Sequence, residues 1–245
     1  GVGSWAVEAL ARSGIGALTL IDLDEVCLSN VNRQLPAIEG AFGRFKAEVL
    51  AERVRAIHPA CQVVPRTEFF TEASASRLLE PAYHGVIDAI DALANKARLV
   101  AECRRRGIPV MVCGAAGGRC DPTRLRICDL AEATHDALLS QLRRALRRDH
   151  GFSSPGAPWR VPCVHSVEPP RRPEEVGCPA PSPAFSDQSG KSLRLGCEWG
   201  YGSAAFVTGA FGLAAAGWMV RHLASGADPR DTIRDAAGSS PAAPV

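Results

Sequence analysis

The sequence predicts an α/β fold built on a doubly wound, mostly parallel sheet. Three observations carry that expectation. Helix-like and strand-like periods alternate through residues 1–130, Gly1 and Gly3 open the first helix, and an acidic residue, Asp22, ends the strand that follows. Apolar residues make up 46% of the 245 and charged residues 22%, which permits a sizeable core and excludes a wholly disordered chain. The net charge is only +2, so a charged partner can be selected only by local clusters.

In chain order, residues 4–13 read as a helix stopped by Gly14 and Gly16, and residues 17–22 as a buried strand. Residues 45–57 place Val49, Leu50, Val54 and Ile57 at helical spacing ahead of Pro59. Short strands follow at 61–65, 85–88 and 109–113, with a helix at 94–106 capped by Gly107. Residues 125–128 read as a further strand and 137–148 as a helix with a basic outer face. From 151 to about 190 the composition turns to Pro, Ser and Gly, the mark of a crossover loop or insert. Residues 203–223 are almost continuously apolar. Their length would suffice for a bilayer, but the many Ala and Gly residues suit a helix pressed against protein. The expected division is therefore a nucleotide-binding domain at 1–150, the Pro-rich segment at 151–195, a strand and apolar helix at 196–224 packed on the same domain, and a loose tail at 225–245.

The chain opens on a glycine loop and not on a signal peptide, and it reads as a fragment whose first strand and true N-terminus are missing. Such an open sheet is expected to leave two unpaired edges and to cost the isolated chain stability. The nine cysteines include no pair separated by two residues, so zinc-ribbon and thioredoxin spacings are absent and no zinc is expected. They read as reduced thiols, which implies a cytoplasmic protein in a bacterium or an organelle-associated one in a eukaryote.

Gly1 and Gly3 let backbone amides approach a phosphate at a helix N-terminus, and Asp22 stands where a carboxylate can accept ribose hydroxyls. A nicotinamide cofactor would satisfy that pattern as well. The downstream cations favour ATP: Arg33 could fork two phosphate oxygens and Lys46 could act as a point charge where pyrophosphate departs. Asp91, just beyond the strand at 85–88, is placed to hold Mg²⁺. Asp88 either assists Asp91 or only caps the strand.

Gly1-Val2-Gly3-Ser4-Trp5, Leu20-Ile21-Asp22-Leu23-Asp24, Ser29-Asn30-Val31-Asn32-Arg33-Gln34, Gly43-Arg44-Phe45-Lys46 and Val86-Ile87-Asp88-Ala89-Ile90-Asp91 together resemble the ThiF/HesA/MoeB superfamily. These are ATP-dependent adenylating enzymes with a Rossmann-like fold, related to ubiquitin-activating enzymes. The resemblance implies a nucleotide site at Gly1, Gly3, Asp22, Asn30, Arg33, Lys46 and Asp91, with Arg33, Lys46 and Asp91 catalytic. Within the superfamily, Cys103-Arg104-Arg105, Gly114-Ala115-Ala116-Gly117-Gly118, Asp121-Pro122-Thr123, Asp129-Leu130-Ala131 and Cys163-Val164-His165-Ser166 are similar to the tRNA threonylcarbamoyladenosine dehydratase group. That likeness implies ATP and Mg²⁺, a tRNA substrate, a homodimer and sulfur-relay partner proteins, with no membrane. Two other readings stand beside it: activation of a ubiquitin-like or sulfur-carrier C-terminus, and a non-enzymatic nucleotide-binding module.

Several residues carry two readings each. Cys163 either attacks an acyl-adenylate or is structural and substrate-lining, and His165 is either a base or a solvated loop residue. Gly117 and Gly118 either present their backbone to the substrate or form a tight turn. Arg143, Arg144, Arg147 and Arg148 share one helical face, which either contacts tRNA phosphates or is merely solvated, with Arg104, Arg105 and Arg106 as a second basic cluster.

Overall fold

Helices cover both faces of the strands in the computed structural model, which describes residues 1–153, 158–171 and 202–226. The expected insert at 151–195 and tail at 225–245 lie largely outside those residues, as do Cys178 and Cys197. The elements run α1 (Val2–Arg12), β1 (Ala17–Ile21), a 3-10 turn at Leu28–Asn30, α2 (Lys46–Ile57), β2 (Gln62–Arg66), α3 (Glu72–Leu78), β3 (Val86–Asp88), α4 (Leu93–Arg106), β4 (Val110–Cys113), β5 (Leu125–Asp129), α5 (Ala137–His150), β6 (Pro162–Ser166) and α6 (Ala205–Ser225). Strand β1 pairs in parallel with β2, and a separate four-stranded sheet runs β3-β4-β6-β5, parallel except for β5. Among the described residues no ladder joins β1 or β2 to the other four strands, so they form two sheets.

Strand β4 shows why the sheet is wound on both faces. Val110 and Val112 point into a core shared with α3, α4 and α5, while Met111 and Cys113 point into another shared with α1 and α6. All four are buried, as period-two alternation requires of a parallel strand covered on both sides. A third core packs α2 and Ala11 of α1 on β1 and β2. Pro65 fits within β2 because that strand is an edge and its missing N–H costs no ladder bond.

Two elements depart from expectation. Residues 162–166 were expected inside an irregular segment, yet they form β6, a wholly buried strand lying between β4 and β5. The flanking Pro, Ser and Gly obscure it, and Pro162 sits at the first strand position, where proline is tolerated. Helix α3 also escaped the periodicity. It is one short amphipathic stretch whose N-terminus is fixed by Thr71, which accepts from the Ser74 amide.

The apolar stretch at 203–223 is α6, packed along α1. Val207, Phe211, Ala215 and Trp218 are buried on its inner face. Gly212 lies so close to α1 that a Cβ there would stand 2.5 Å from the Val2 carbonyl and 2.8 Å from the Ala6 nitrogen. No helix among the described residues is long and apolar enough to cross a membrane.

Candidate functional site

The C-terminal ends of β1 and β3 open beside the N-terminus of α1, the crevice where open α/β sheets bind ligands. Gly1 caps α1 with no side chain over its first amides. Gly3 places this end of the helix against the turn after β3, where a Cβ at Gly3 would stand 3.4 Å from the Cβ of Ala89. Lys46, Asp22, Arg33 and Asp91 all lie close enough to act on the Gly1 nitrogen. The positive charges of Lys46 and Arg33 and the negative charges of Asp22 and Asp91 are all felt at that end of α1. The structure thus brings the five expected residues to one point.

Each is held by its own device. The Lys46 ammonium donates to Asp24 Oδ2 at 2.8 Å, and the Lys46 backbone N–H donates to the Asp24 carbonyl at 2.9 Å. Asp22 accepts from the Asp24 amide at 2.8 Å; burial raises its pKa, opposed by that hydrogen bond and by Lys46. The carbonyl of Arg33 accepts from Trp5 Nε1 at 3.3 Å and from Thr208 Oγ1 at 2.9 Å, while Asn32 Nδ2 donates to the Ser203 carbonyl. Helices α1 and α6 therefore fix the loop of Arg33, whose guanidinium donates to the Ser29 carbonyl at 2.6 Å and to Asn32 Oδ1 at 2.9 Å. Asn30 is buried and its Oδ1 accepts from the Cys27 amide, so it shapes the same loop from inside. Asp91 is exposed and pairs with no cation among the described residues.

Sequence reasoning missed the support beneath Asp91. Asp88 and Lys96 are both fully buried and form an ion pair at 3.0 Å, while Lys96 Nζ also donates to the Ile90 carbonyl and Asp88 Oδ1 accepts from the Ile90 amide. Asp88 therefore neither sits beside Asp91 as a second free carboxylate nor merely caps a strand: with Lys96 it fixes the turn. The signal was present. Lys96 shares the apolar stripe of Leu99, Val100 and Cys103 on α4, and a lysine there requires a buried anion.

The loop after β4 is locked as tightly. Buried Arg119 donates to the carbonyls of Ala115, His135 and Glu168. Asp136 accepts from the Ala115 amide at 2.9 Å, and Glu168 accepts from the amides of Cys120 and Asp121. Gly118 is buried at φ 74°, with its N–H given to the Gly202 carbonyl and its carbonyl accepting from the Arg171 amide. Its backbone is used up within the protein, which leaves Gly118 the tight-turn reading and not the substrate-facing one. Gly117 keeps partial exposure.

Cys163 has no exposed surface; it sits in β6, facing α4 and α5, with its thiol pKa pushed well above the ordinary value. That burial removes a substrate-lining role and attack on an acyl-adenylate. His165 is also buried, in the strand and not in a solvated loop. The basic face of α5 is split: Arg143 donates to the carbonyls of Leu130 and Ala133, and Arg147 lies over the buried Trp159 ring at 5.8 Å, while Arg144 and Arg148 are exposed.

A doubly wound sheet with a glycine-opened helix and a converging Asp, Arg, Lys and Asp set defines a nucleotide-binding α/β enzyme. The ThiF family's sequence model matches residues 1–235, and the chain belongs to that family. It is 42% identical over 224 residues to the tRNA threonylcarbamoyladenosine dehydratase of Haemophilus influenzae, covering 91% of this chain and 82% of that protein. It also resembles the crystal structures of the Escherichia coli tRNA N6-threonylcarbamoyladenosine dehydratase in complex with ATP and with AMP. The first has a TM-score of 0.79 at 38% identity, covering 92% of this chain and 84% of that one. The second has a TM-score of 0.78 at 39% identity, covering 92% and 82%.

Proposed function

We propose that this chain adenylates the carboxylate of threonylcarbamoyladenosine in tRNA, using ATP, and then closes the modified group into a ring with net loss of water. The observation that carries the reading is the convergence of Asp22, Arg33, Lys46 and Asp91 on the N-terminus of α1. The substrate carboxylate attacks the α-phosphorus, and pyrophosphate leaves. A neighbouring nucleophile of the same modified group then attacks the acyl carbon and expels AMP. Both reacting groups belong to one nucleoside, so proximity lowers the second barrier.

In this reading Asp22 accepts the ribose hydroxyls, Gly1 and Gly3 admit the phosphates, and Asn30 shapes the loop that carries Arg33. Arg33 and Lys46 bear on the charge that grows as pyrophosphate departs. Asp91, free of cationic partners, would hold Mg²⁺, which screens the phosphate oxygens when bound. Gly117 is the loop residue left to face the substrate. The reading takes ATP in preference to a nicotinamide cofactor, because fixed cations serve no hydride transfer. It includes no zinc, since the paired cysteine spacing is absent. A homodimer is supported by the exposed Leu28, Val31, Phe206 and Leu213, and sulfur-relay partners enter through the family resemblance alone. A protein carrier as acyl substrate, or binding without catalysis, is disfavoured by relatives that match most of this chain and are named for the tRNA reaction.

The test is ATP–pyrophosphate exchange with tRNA bearing threonylcarbamoyladenosine. Lys46→Ala and Asp91→Ala should each lose more than about tenfold, because each acts on charge developing in the transition state. Undiminished exchange in either folded variant would refute the assignment.

A further inference from the structure

Cys128 of β5 stands directly opposite Cys163 of β6 in an antiparallel ladder. Residues so placed have Cα atoms about 4.5–5.5 Å apart, inside the window of about 4.4–6.8 Å that a disulfide accepts. The two sulfurs lie 3.9 Å apart, and His165, diagonal to Cys128 on the same sheet face, brings Nε2 to 3.4 Å from the Cys128 sulfur. Cys128 is partly exposed, whereas Cys163 is not. None of the three takes part in the nucleotide site.

We propose that Cys128 and Cys163 form a peroxide-sensitive pair, in which Cys128 is the attacking thiolate and Cys163 the resolving thiol. Hydrogen bonding from Cys163 is the largest cause that brings the Cys128 pKa down to about 6, with burial opposing and His165 assisting. Burial works against the charged form of His165, but the hydrogen bond and charge of Cys128 outweigh it, so the His165 pKa is raised. The other charged groups around the pair are Glu132, which disfavours the thiolate, Asp136 and Asp129 from the β5–α5 segment, and Arg143 from α5.

The chemistry balances without a cofactor. The Cys128 thiolate attacks a peroxide oxygen; an S–O bond forms, the O–O bond breaks, and the departing oxygen takes a proton to leave as water or an alcohol. Cys163 then attacks the resulting sulfenic acid; the S–S bond forms, the S–O bond breaks, and hydroxide leaves as water with the Cys163 proton. The peroxide is reduced by two electrons and the two thiols are oxidised to one disulfide. The product would tie the edge strand β5 to β6 across the sheet.

The experiment oxidises the whole chain with hydrogen peroxide at pH 7 and maps every cysteine, without reduction, by mass spectrometry. Cys128 should react about tenfold faster than the more exposed Cys27 and Cys120, and the dominant product should be a Cys128–Cys163 disulfide. In Cys163→Ser the reaction should stop at a Cys128 sulfenic acid that dimedone captures. His165→Phe should slow Cys128 alkylation at pH 7 and move its pH midpoint upward. A Cys128 no faster than Cys27 and Cys120, or joined to any cysteine other than Cys163, would overturn the proposal.

Discussion

Lys96 holds no surface position, yet the turn that presents Asp91 depends on it. Removing one member of a buried pair strands the other charge, so Lys96→Met should destabilise the protein by about 3–5 kcal/mol at pH 8. Replacing Asp88 by Leu in the same chain should recover most of that loss, because a well-packed apolar pair avoids both desolvation penalties. The pH dependence has a definite sign. Burial raises the Asp88 pKa even with Lys96 present. In Lys96→Met the folded state holds a proton that the unfolded state releases, so the deficit should shrink as pH falls from 8 to 5. Urea denaturation at the two pH values measures this; a deficit independent of pH would contradict the pairing.

At the scale of elements, the contact between α1 and α6 positions the loop that carries Arg33. Gly212 is the point of closest approach, and any side chain there meets backbone atoms of Val2 and Ala6 that cannot rotate away. Gly212→Ala should therefore cost about 1–3 kcal/mol by overpacking, and it should weaken ATP binding as the Arg33 loop shifts; a thermal melt with and without ATP reports both. The sequence displayed these two helices openly, as a glycine-opened amphipathic stretch and a long apolar run rich in small residues. Their mutual contact was not legible, since period alone does not say which faces meet. Strand β6 was hidden for another reason. Its five residues are buried on both faces, so they show no alternation of polarity, and proline-rich flanks mask the short apolar run. The site residues were legible because their order and spacing form a motif, whereas Lys96 and the Arg119–Asp136–Glu168 lock join distant positions that only the tertiary structure brings together.

For the whole molecule, a net charge of +2 cannot hold tRNA, so binding must come from one surface. The structure joins two basic clusters that the sequence presents separately. Arg104 of α4 lies 4.2 Å over the Phe152 ring, Phe152 meets Trp159 edge-on at 4.8 Å, and Trp159 carries Arg147 of α5. Arg144 and Arg148 are exposed on α5, Arg148 paired at 2.7 Å with its neighbour Asp149, and Arg143, being structural, should be left alone. Replacing Arg144 and Arg148 by Gln should flatten the salt dependence of tRNA binding by about 0.7–0.9 per lost contact, with ATP affinity unchanged. Coincident slopes in a fluorescence titration would show that tRNA docks elsewhere. The central claim, that the substrate carboxylate is activated as an adenylate at the α1 crevice, has a more direct test. The carboxylate of threonylcarbamoyladenosine in tRNA is labelled with oxygen-18 and the enzyme is run through one turnover with ATP. An adenylate intermediate delivers one labelled oxygen to AMP; label found in inorganic phosphate or water, with AMP unlabelled, would contradict it.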